Sequence, residues 1–238
     1  MRSLVIADIH GNWPALQAVV AAEPHDVCIC LGDLVDYALE PAPVIHWVRQ
    51  HAHYAVRGNH DHGAAQNVTT SGKVGFRYLT TVTRALTRVL LSPEDLRFLG
   101  ALPVSRTVTI DNARYLLVHA SPRDPLDEYS PPDPEFWARR LQAVDVDVVC
   151  VGHTHHPYAL TVEGTLIVNP GSVGQPRDGD PRASYAVIDG DKVELKRIEY
   201  PVADTLAVIQ ASGLPMKDKE MLCEVFRNGG IRHAGAAS

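Results

Sequence analysis

The sequence predicts an α/β fold in which two mixed β-sheets pack face to face with helices outside. Three observations carry that expectation. Short β-branched runs alternate with helix-patterned segments in the first half, the signature of βαβ units and parallel strands. Later runs lie closer together and are joined by turn residues, as hairpins are. Hydrophobic residues make up 45% and charged residues 21% of the 238, ordinary values for a chain that builds one large domain or two small ones.

Taken in order, strands are expected over 3–7, 27–31, 54–57, 107–110, 115–119, 146–151, 166–169, 184–188 and 192–199. Asp189-Gly190-Asp191 is a hairpin turn between the last two. Asn12-Trp13-Pro14 opens a helix, with Asn as cap and Pro in the first turn, and Ser92-Pro93-Glu94-Asp95 opens another in the same way. A further helical segment begins near Pro41. Two helices are expected over 205–227, broken by Gly213-Leu214-Pro215, before a small, polar tail over 228–238 that frays. Residues 1–200 then form one domain with a helical insertion over 62–102, and 201–238 form a C-terminal helical extension with a flexible tail. The insertion directly follows Gly58-Asn59-His60-Asp61. It either overhangs that cluster and selects substrate or serves packing alone.

A net charge of −6 without a basic stripe argues against a nucleic-acid backbone as the main partner. No apolar run is long enough to span a bilayer, and the chain enters a strand at once without a signal peptide, so a cytoplasmic protein is expected. Cys28, Cys30, Cys150 and Cys223 follow neither a disulfide nor a zinc pattern and read as small buried hydrophobes, reduced as in a cytoplasm. Oligomeric state is not legible.

Five polar clusters end apolar runs: Asp8-Ile9-His10, Gly32-Asp33-Leu34-Val35-Asp36, Gly58-Asn59-His60-Asp61, Val118-His119 and Gly152-His153-Thr154-His155. Ends of strands are where α/β sheets bind ligands. Asp8 with His10, and His153 with His155, are separated by one residue, so strand alternation would point each pair to one side. Gly32 allows the sharp turn that brings the Asp33 carboxylate over a strand end. Carboxylate, amide oxygen and imidazole, with no cysteine, suit two borderline-hard divalent cations rather than one structural zinc.

The order and spacing of these clusters resemble the calcineurin-like metallophosphoesterase superfamily, in particular its small bacterial phosphodiesterase-like branch, over roughly the first 200 residues. That resemblance implies a four-layer α/β/β/α sandwich. It implies one cation on Asp8, His10, Asp33 and His155 and a second on Asp33, Asn59, His119 and His153, with Asp33 bridging. Manganese leads the metals implied, with iron, nickel, cobalt or zinc as alternatives set by availability. A water held between the cations would attack phosphorus in line, and His60 would assist the leaving oxygen. Asp36 would orient His60; otherwise it caps the helix near Pro41. Arg57 sits where serine/threonine phosphoprotein phosphatases keep a phosphate-binding arginine, and reads either as a clamp or as a surface ion-pair partner. Asp61 reads as structural, and His25, His46, His51, His53, His62, His156 and His233 receive no role.

The implied substrate is a small phosphodiester of nucleotide type. A phosphomonoesterase or phosphoprotein phosphatase is the alternative within enzymes, and a non-catalytic scaffold of the same fold is the alternative outside them. The segment over 169–177, Asn-Pro-Gly-Ser-Val-Gly-Gln-Pro-Arg, reads either as an anion nest or as a connecting loop, with Ser172 and Arg177 as weak candidates. Ala38 and Ala120 stand where the family often has glycine, which would narrow the pocket by a methyl each.

Overall fold

The computed structural model describes residues 1–231. Its strands are β1 (Arg2–Ile6), β2 (Val27–Cys30), β3 (Tyr54–Ala55), β4 (Ser105–Ile110), β5 (Ala113–Val118), β6 (Val148–Cys150), β7 (Pro157–Val162), β8 (Thr165–Pro170), β9 (Ala183–Asp189) and β10 (Lys192–Ile198). Its helices are α1 (Trp13–Ala22), α2 (Pro41–His51), α3 (Asn59–Ala65), α4 (Gly75–Leu90), α5 (Pro93–Ala101), α6 (Pro134–Leu141), α7 (Val202–Ala211) and α8 (Met216–Asn228). The strands form two five-stranded sheets, in the orders β10-β9-β1-β2-β3 and β4-β5-β6-β8-β7. β1, β2 and β3 run parallel, as do β5, β6 and β8, while the remaining pairings are antiparallel.

The period of two along each strand builds the layers. Val5 and Ala7 from β1 and its end, with Ile29 and Leu31 from the β2 run, meet Leu117, Cys150 and Val168 from the other sheet in a buried inter-sheet core. Their neighbours Leu4, Ile6, Cys28 and Cys30 point the opposite way, onto α1, α2 and α5. The second sheet is covered on its outer face through Trp137 and Leu141 of α6. Truncating a fully buried residue such as Leu117 to alanine therefore costs about 2–5 kcal/mol.

Helix starts follow local chemistry. The Asn12 side chain accepts from Ala15 N at 3.3 Å at the start of α1, and Ser92 and Asp95 form a reciprocal cap at the start of α5. The expected helix pair near the C-terminus is α7 and α8, which pack with Tyr37, Leu39 and Leu79 into a common cluster. The expected tail falls mostly on 232–238, outside the described residues.

Two elements went unanticipated. β7 is an edge strand that opens on Pro157, where proline is tolerated because no ladder donor is needed, and it returns into β8 through Glu163 and Gly164, both at positive φ. α6 starts at Pro134 with Asp133 accepting from Glu135 N and Phe136 N. The 54–57 strand reduces to β3, because Arg57 N turns away to bond Pro103 O at 2.8 Å.

Candidate metal centre

Asp8 and His10 follow β1, Asp33 follows β2, Asn59 opens α3, His119 ends the β5 run, and His153 and His155 follow β6. The carboxyl ends of the parallel strands of both sheets thus open on one site. Pleat alternation is not what brings the paired ligands together. Asp8, His10, Asp33, His153 and His155 all adopt positive φ, between 49° and 65°, in coiled segments past the strand ends. For non-glycine residues that conformation costs of order 1–3 kcal/mol each and persists only where surrounding bonds over-determine it.

Those bonds are present. Asp8 N donates to Gly32 O (3.0 Å), His10 N to Asp33 O (2.9 Å) and Gly11 N to Leu34 O (2.8 Å), lacing the two loops together. The 169–177 segment is the third lace. Ser172 Oγ donates to Asp8 O (2.7 Å), Val173 N to Ala7 O (3.0 Å) and Gly174 N to Asp8 O (3.1 Å). The N–H groups of Gly171, Val173, Gly174 and Gln175 are spent on the chain, so the segment acts as a brace on Asp8 and not as a plain connection. Asp61, with both carboxylate oxygens accepting from Asp33 N, Leu34 N and Gly58 N at 2.8–3.0 Å, pins the same corner.

In the first ligand group, His10 Nδ1 donates to Val35 O (2.9 Å) and His155 Nδ1 to Gln175 O (2.5 Å). Each Nε2 is thereby left as a bare lone pair, and the two lie 3.1 Å apart. Burial drives both imidazoles well below their ordinary pKa, so no proton sits between them. Asp8 Oδ1 lies 3.3 Å from His155 Nε2, buried and with no hydrogen-bond partner. Two facing lone pairs and an orphaned carboxylate oxygen are three acceptors with no donor between them, a set that fits a cation.

The second group is Asp33, His119 and His153, closed by Asn59. His119 Nδ1 donates to Leu31 O (2.8 Å), and its Nε2 faces Asn59 Oδ1 (3.1 Å), His153 Nδ1 (3.2 Å) and Asp33 Oδ2 (3.3 Å). Asp33 Oδ2 also lies 3.8 Å from His10 Nε2, so one carboxylate oxygen reaches both groups. Burial opposes charge on His119, yet Asp33 and Asp8 outweigh it and lift its pKa to about 9. Burial, reinforced by His119, lowers His153 to about 4. Close packing keeps Asp33 in place: a Cβ on Gly58 would come within 2.0 Å of its Oδ1. The structure therefore gathers six of the seven ligand candidates into two groups able to hold a metal, with Asn59 Oδ1 beside the second.

His60 stands beside them. Its Nδ1 is 2.7 Å from Asp36 Oδ2, and its Nε2 is 3.4 Å from the Tyr37 hydroxyl. Asp36 is not a helix cap: Glu40 holds that position on α2, and Asp36 is held between His60 and the Arg84 guanidinium of α4. His60, Tyr37 and Arg84 border a cleft of about 790 Å³ whose lining also includes Tyr129. Arg57 is a correction: its Nη1 donates to Gly100 O (3.1 Å), away from the cleft, and the arginines that line the cleft include Arg84 and Arg177. Ala38 and Ala120 do not line it either, so their methyls do not shape it. The insertion does, through Phe76, Thr80 and Arg84 of α4, and so does His62, given no role in the sequence. Arg84 was missed, although α4 carried a signal. Its buried stripe holds Thr80, Thr83, Arg84 and Thr87 where core packing alone would place leucines.

Comparison with known proteins agrees with this architecture. The calcineurin-like phosphoesterase superfamily domain matches residues 1–192. An uncharacterized protein of Methanocaldococcus jannaschii is 32% identical over 243 residues, covering 89% of this chain and 93% of that protein. Phosphodiesterase YfcE of Escherichia coli is 27% identical over 205 residues, 80% of this chain and 89% of its own. The crystal structure of a metallophosphoesterase from Sphaerobacter thermophilus, 34% identical, superposes with a TM-score of 0.80 over 96% of this chain and 99% of that one. By the match over residues 1–192 and by a fold shared almost end to end with that structure, the chain belongs to the calcineurin-like phosphoesterase superfamily.

Proposed function

We propose that the protein is a dinuclear metal-dependent phosphoesterase that hydrolyses small phosphodiesters of nucleotide type. One observation carries the reading: Asp33 Oδ2 lies between two sets of imidazole nitrogens, next to a His–Asp pair at the edge of a large cleft. Asp8, His10, His155 and Asp33 would hold one cation, and Asp33, Asn59, His119 and His153 the other. Bound divalent cations supply an acidified water as nucleophile and neutralise phosphoryl oxygens.

The chain's own residues do the rest. Carbonyls of Val35, Leu31 and Gln175 hold the Nδ1 protons of His10, His119 and His155, so that every Nε2 faces the centre, those of His10 and His155 as lone pairs and that of His119 once it gives up its proton to a cation. His60, oriented through Nδ1 by Asp36, gives the proton on Nε2 to the departing oxygen. Asp36 compensates the charge on His60 before that transfer, and Arg84 holds Asp36 from the other side. Mixed N/O ligation without sulfur suits manganese, with iron, cobalt, nickel or zinc as substitutes. Four buried, unpaired thiols suit a cytoplasmic setting.

The diester preference draws on the likeness to YfcE, described as a phosphodiesterase. The test is hydrolysis of bis-p-nitrophenyl phosphate by metal-stripped protein titrated with manganese and, separately, nickel or zinc. Turnover that saturates near two equivalents supports the reading. Turnover of p-nitrophenyl phosphate alone replaces the diesterase with a monoesterase, and two bound metals without turnover of either ester refute the enzyme.

A further inference from the structure

Arg177 is a cation of the cleft that the chemistry above leaves unused. It ends the loop that laces Asp8, and its Nη2 donates to two neutral oxygens, the Tyr37 hydroxyl at 3.3 Å and Gln175 Oε1 at 3.2 Å. Its Nε is buried with no hydrogen-bond partner, and so is the amide nitrogen of Gln175, a residue only 1% exposed. Several other guanidiniums are spent on carboxylates, Arg84 on Asp36, Arg140 on Glu128 and Arg197 on Asp178, while Arg57 and Arg88, outside the cleft, bond the backbone carbonyls of Gly100 and Ala64. Among the described residues no carboxylate lies within 4.0 Å of Arg177.

A partly desolvated guanidinium with only neutral acceptors leaves charge uncompensated, which a visiting anion would relieve. The seat is built for one. The guanidinium carbon lies 4.0 Å from the centroid of the Phe76 ring, so the aromatic holds it while N–H edges stay open to an oxoanion. The Tyr37 hydroxyl couples the seat to the centre, standing 3.3 Å from Arg177 Nη2 and 3.4 Å from His60 Nε2. An oxoanion on Arg177 therefore lies on the His60 side of the centre, where the leaving group departs.

We propose that Arg177, seated on Phe76 and hydrogen-bonded to Tyr37, binds a phosphate oxygen of the substrate. The inference rests on the phosphoesterase reading and names the residue that takes the place sought in Arg57. That phosphate is either the reacting group or a second phosphate carried by the leaving portion, and the experiment separates these sources. Phe76 comes from α4, so the insertion serves recognition as well as packing.

Manganese-loaded wild type, Arg177→Met and Arg177→Lys are titrated by calorimetry with inorganic phosphate and with tripolyphosphate. The expected result is a loss of at least about tenfold in affinity for Arg177→Met, with part of it restored in Arg177→Lys, which keeps the charge but not the fork. Loss on both anions assigns the reacting phosphoryl group, and loss on tripolyphosphate alone assigns a second phosphate. Phe76→Leu, which removes the aromatic seat and leaves the lacing loop intact, weakens binding in the same direction. Wild-type affinity of Arg177→Met for both anions overturns the proposal, as does a wild type that binds neither. Turnover of bis-p-nitrophenyl phosphate by the wild type is read separately, so an inactive protein whose anion binding depends on Arg177 refutes the enzyme and not this site.

Discussion

Removing the Asp36 carboxylate unmasks a buried cation. Asp36 is fully buried and accepts from His60 Nδ1 at 2.7 Å and from Arg84 Nε at 2.8 and 3.0 Å, with Arg84 Nη2 making a further bond. Arg84 is itself only 7% exposed, and its Nη1 already lacks a partner, so no alternative acceptor stands ready. Breaking a buried pair from one side costs about 3–5 kcal/mol. Asp36→Ala is expected to lose that much in urea denaturation of metal-stripped protein, followed by circular dichroism with an unchanged m-value. At about 2–4 °C per kcal/mol for a chain of this size, the melting temperature falls by roughly 6–20 °C.

The pH dependence has a definite sign. Burial raises the Asp36 pKa, but the hydrogen bonds of His60 and Arg84 outweigh it and leave it below its ordinary value. The stabilisation is therefore present above the unfolded carboxylate value of about 3.9 and is lost as pH falls through the folded one. The gap between wild type and Asp36→Ala should close only in acid. Replacing both partners, Asp36→Asn with Arg84→Met, should cost less than the sum of the single changes by about 0.5–3 kcal/mol. A loss below about 1 kcal/mol in Asp36→Ala, or strict additivity in the double variant, refutes the account of this triad.

Three further outcomes follow from the geometry. Gly58→Ala places a Cβ 2.0 Å from Asp33 Oδ1 and 2.4 Å from Asp33 N, so manganese affinity measured by calorimetry should fall about 10–100-fold while the far-UV spectrum is kept; unaltered affinity would show that Asp33 is no ligand. His119, held near pKa 9 by Asp33 and Asp8 against the effect of burial, must lose its proton to bind a cation, so metal affinity should climb by about tenfold per pH unit from neutral pH and level off near 9. A flat profile over that window would remove His119 from the ligand set. Arg57→Ala should leave kcat/KM for bis-p-nitrophenyl phosphate at the wild-type level and lose at most about 0.5–1.5 kcal/mol of stability with the bond to Gly100 O; a large fall in kcat/KM would return Arg57 to the site.

The sequence by itself determined the parallel βαβ start, the hairpin finish and which residues stand as ligand candidates. Each of these is written within a few residues: a β-branched run, a turn dipeptide, or a polar residue where an apolar run stops. Asp8, Asp33, His119 and His155 were legible for that reason, since buried carboxylates and imidazoles at strand ends have few structural excuses. Tertiary structure decided which groups share an environment. Arg84 reaches Asp36 across 48 residues of sequence, and Arg177 reaches Tyr37 across 140. It also decided that Arg57, two residues before Asn59, turns to Gly100 instead of the cleft, and that the 169–177 segment spends its donors on Asp8. Local pattern specifies which face a side chain leaves the backbone from, whereas the partner it meets depends on how distant elements pack. The charge on an arginine reads the same in either place, and only the fold says whether a carbonyl, a carboxylate or a substrate answers it.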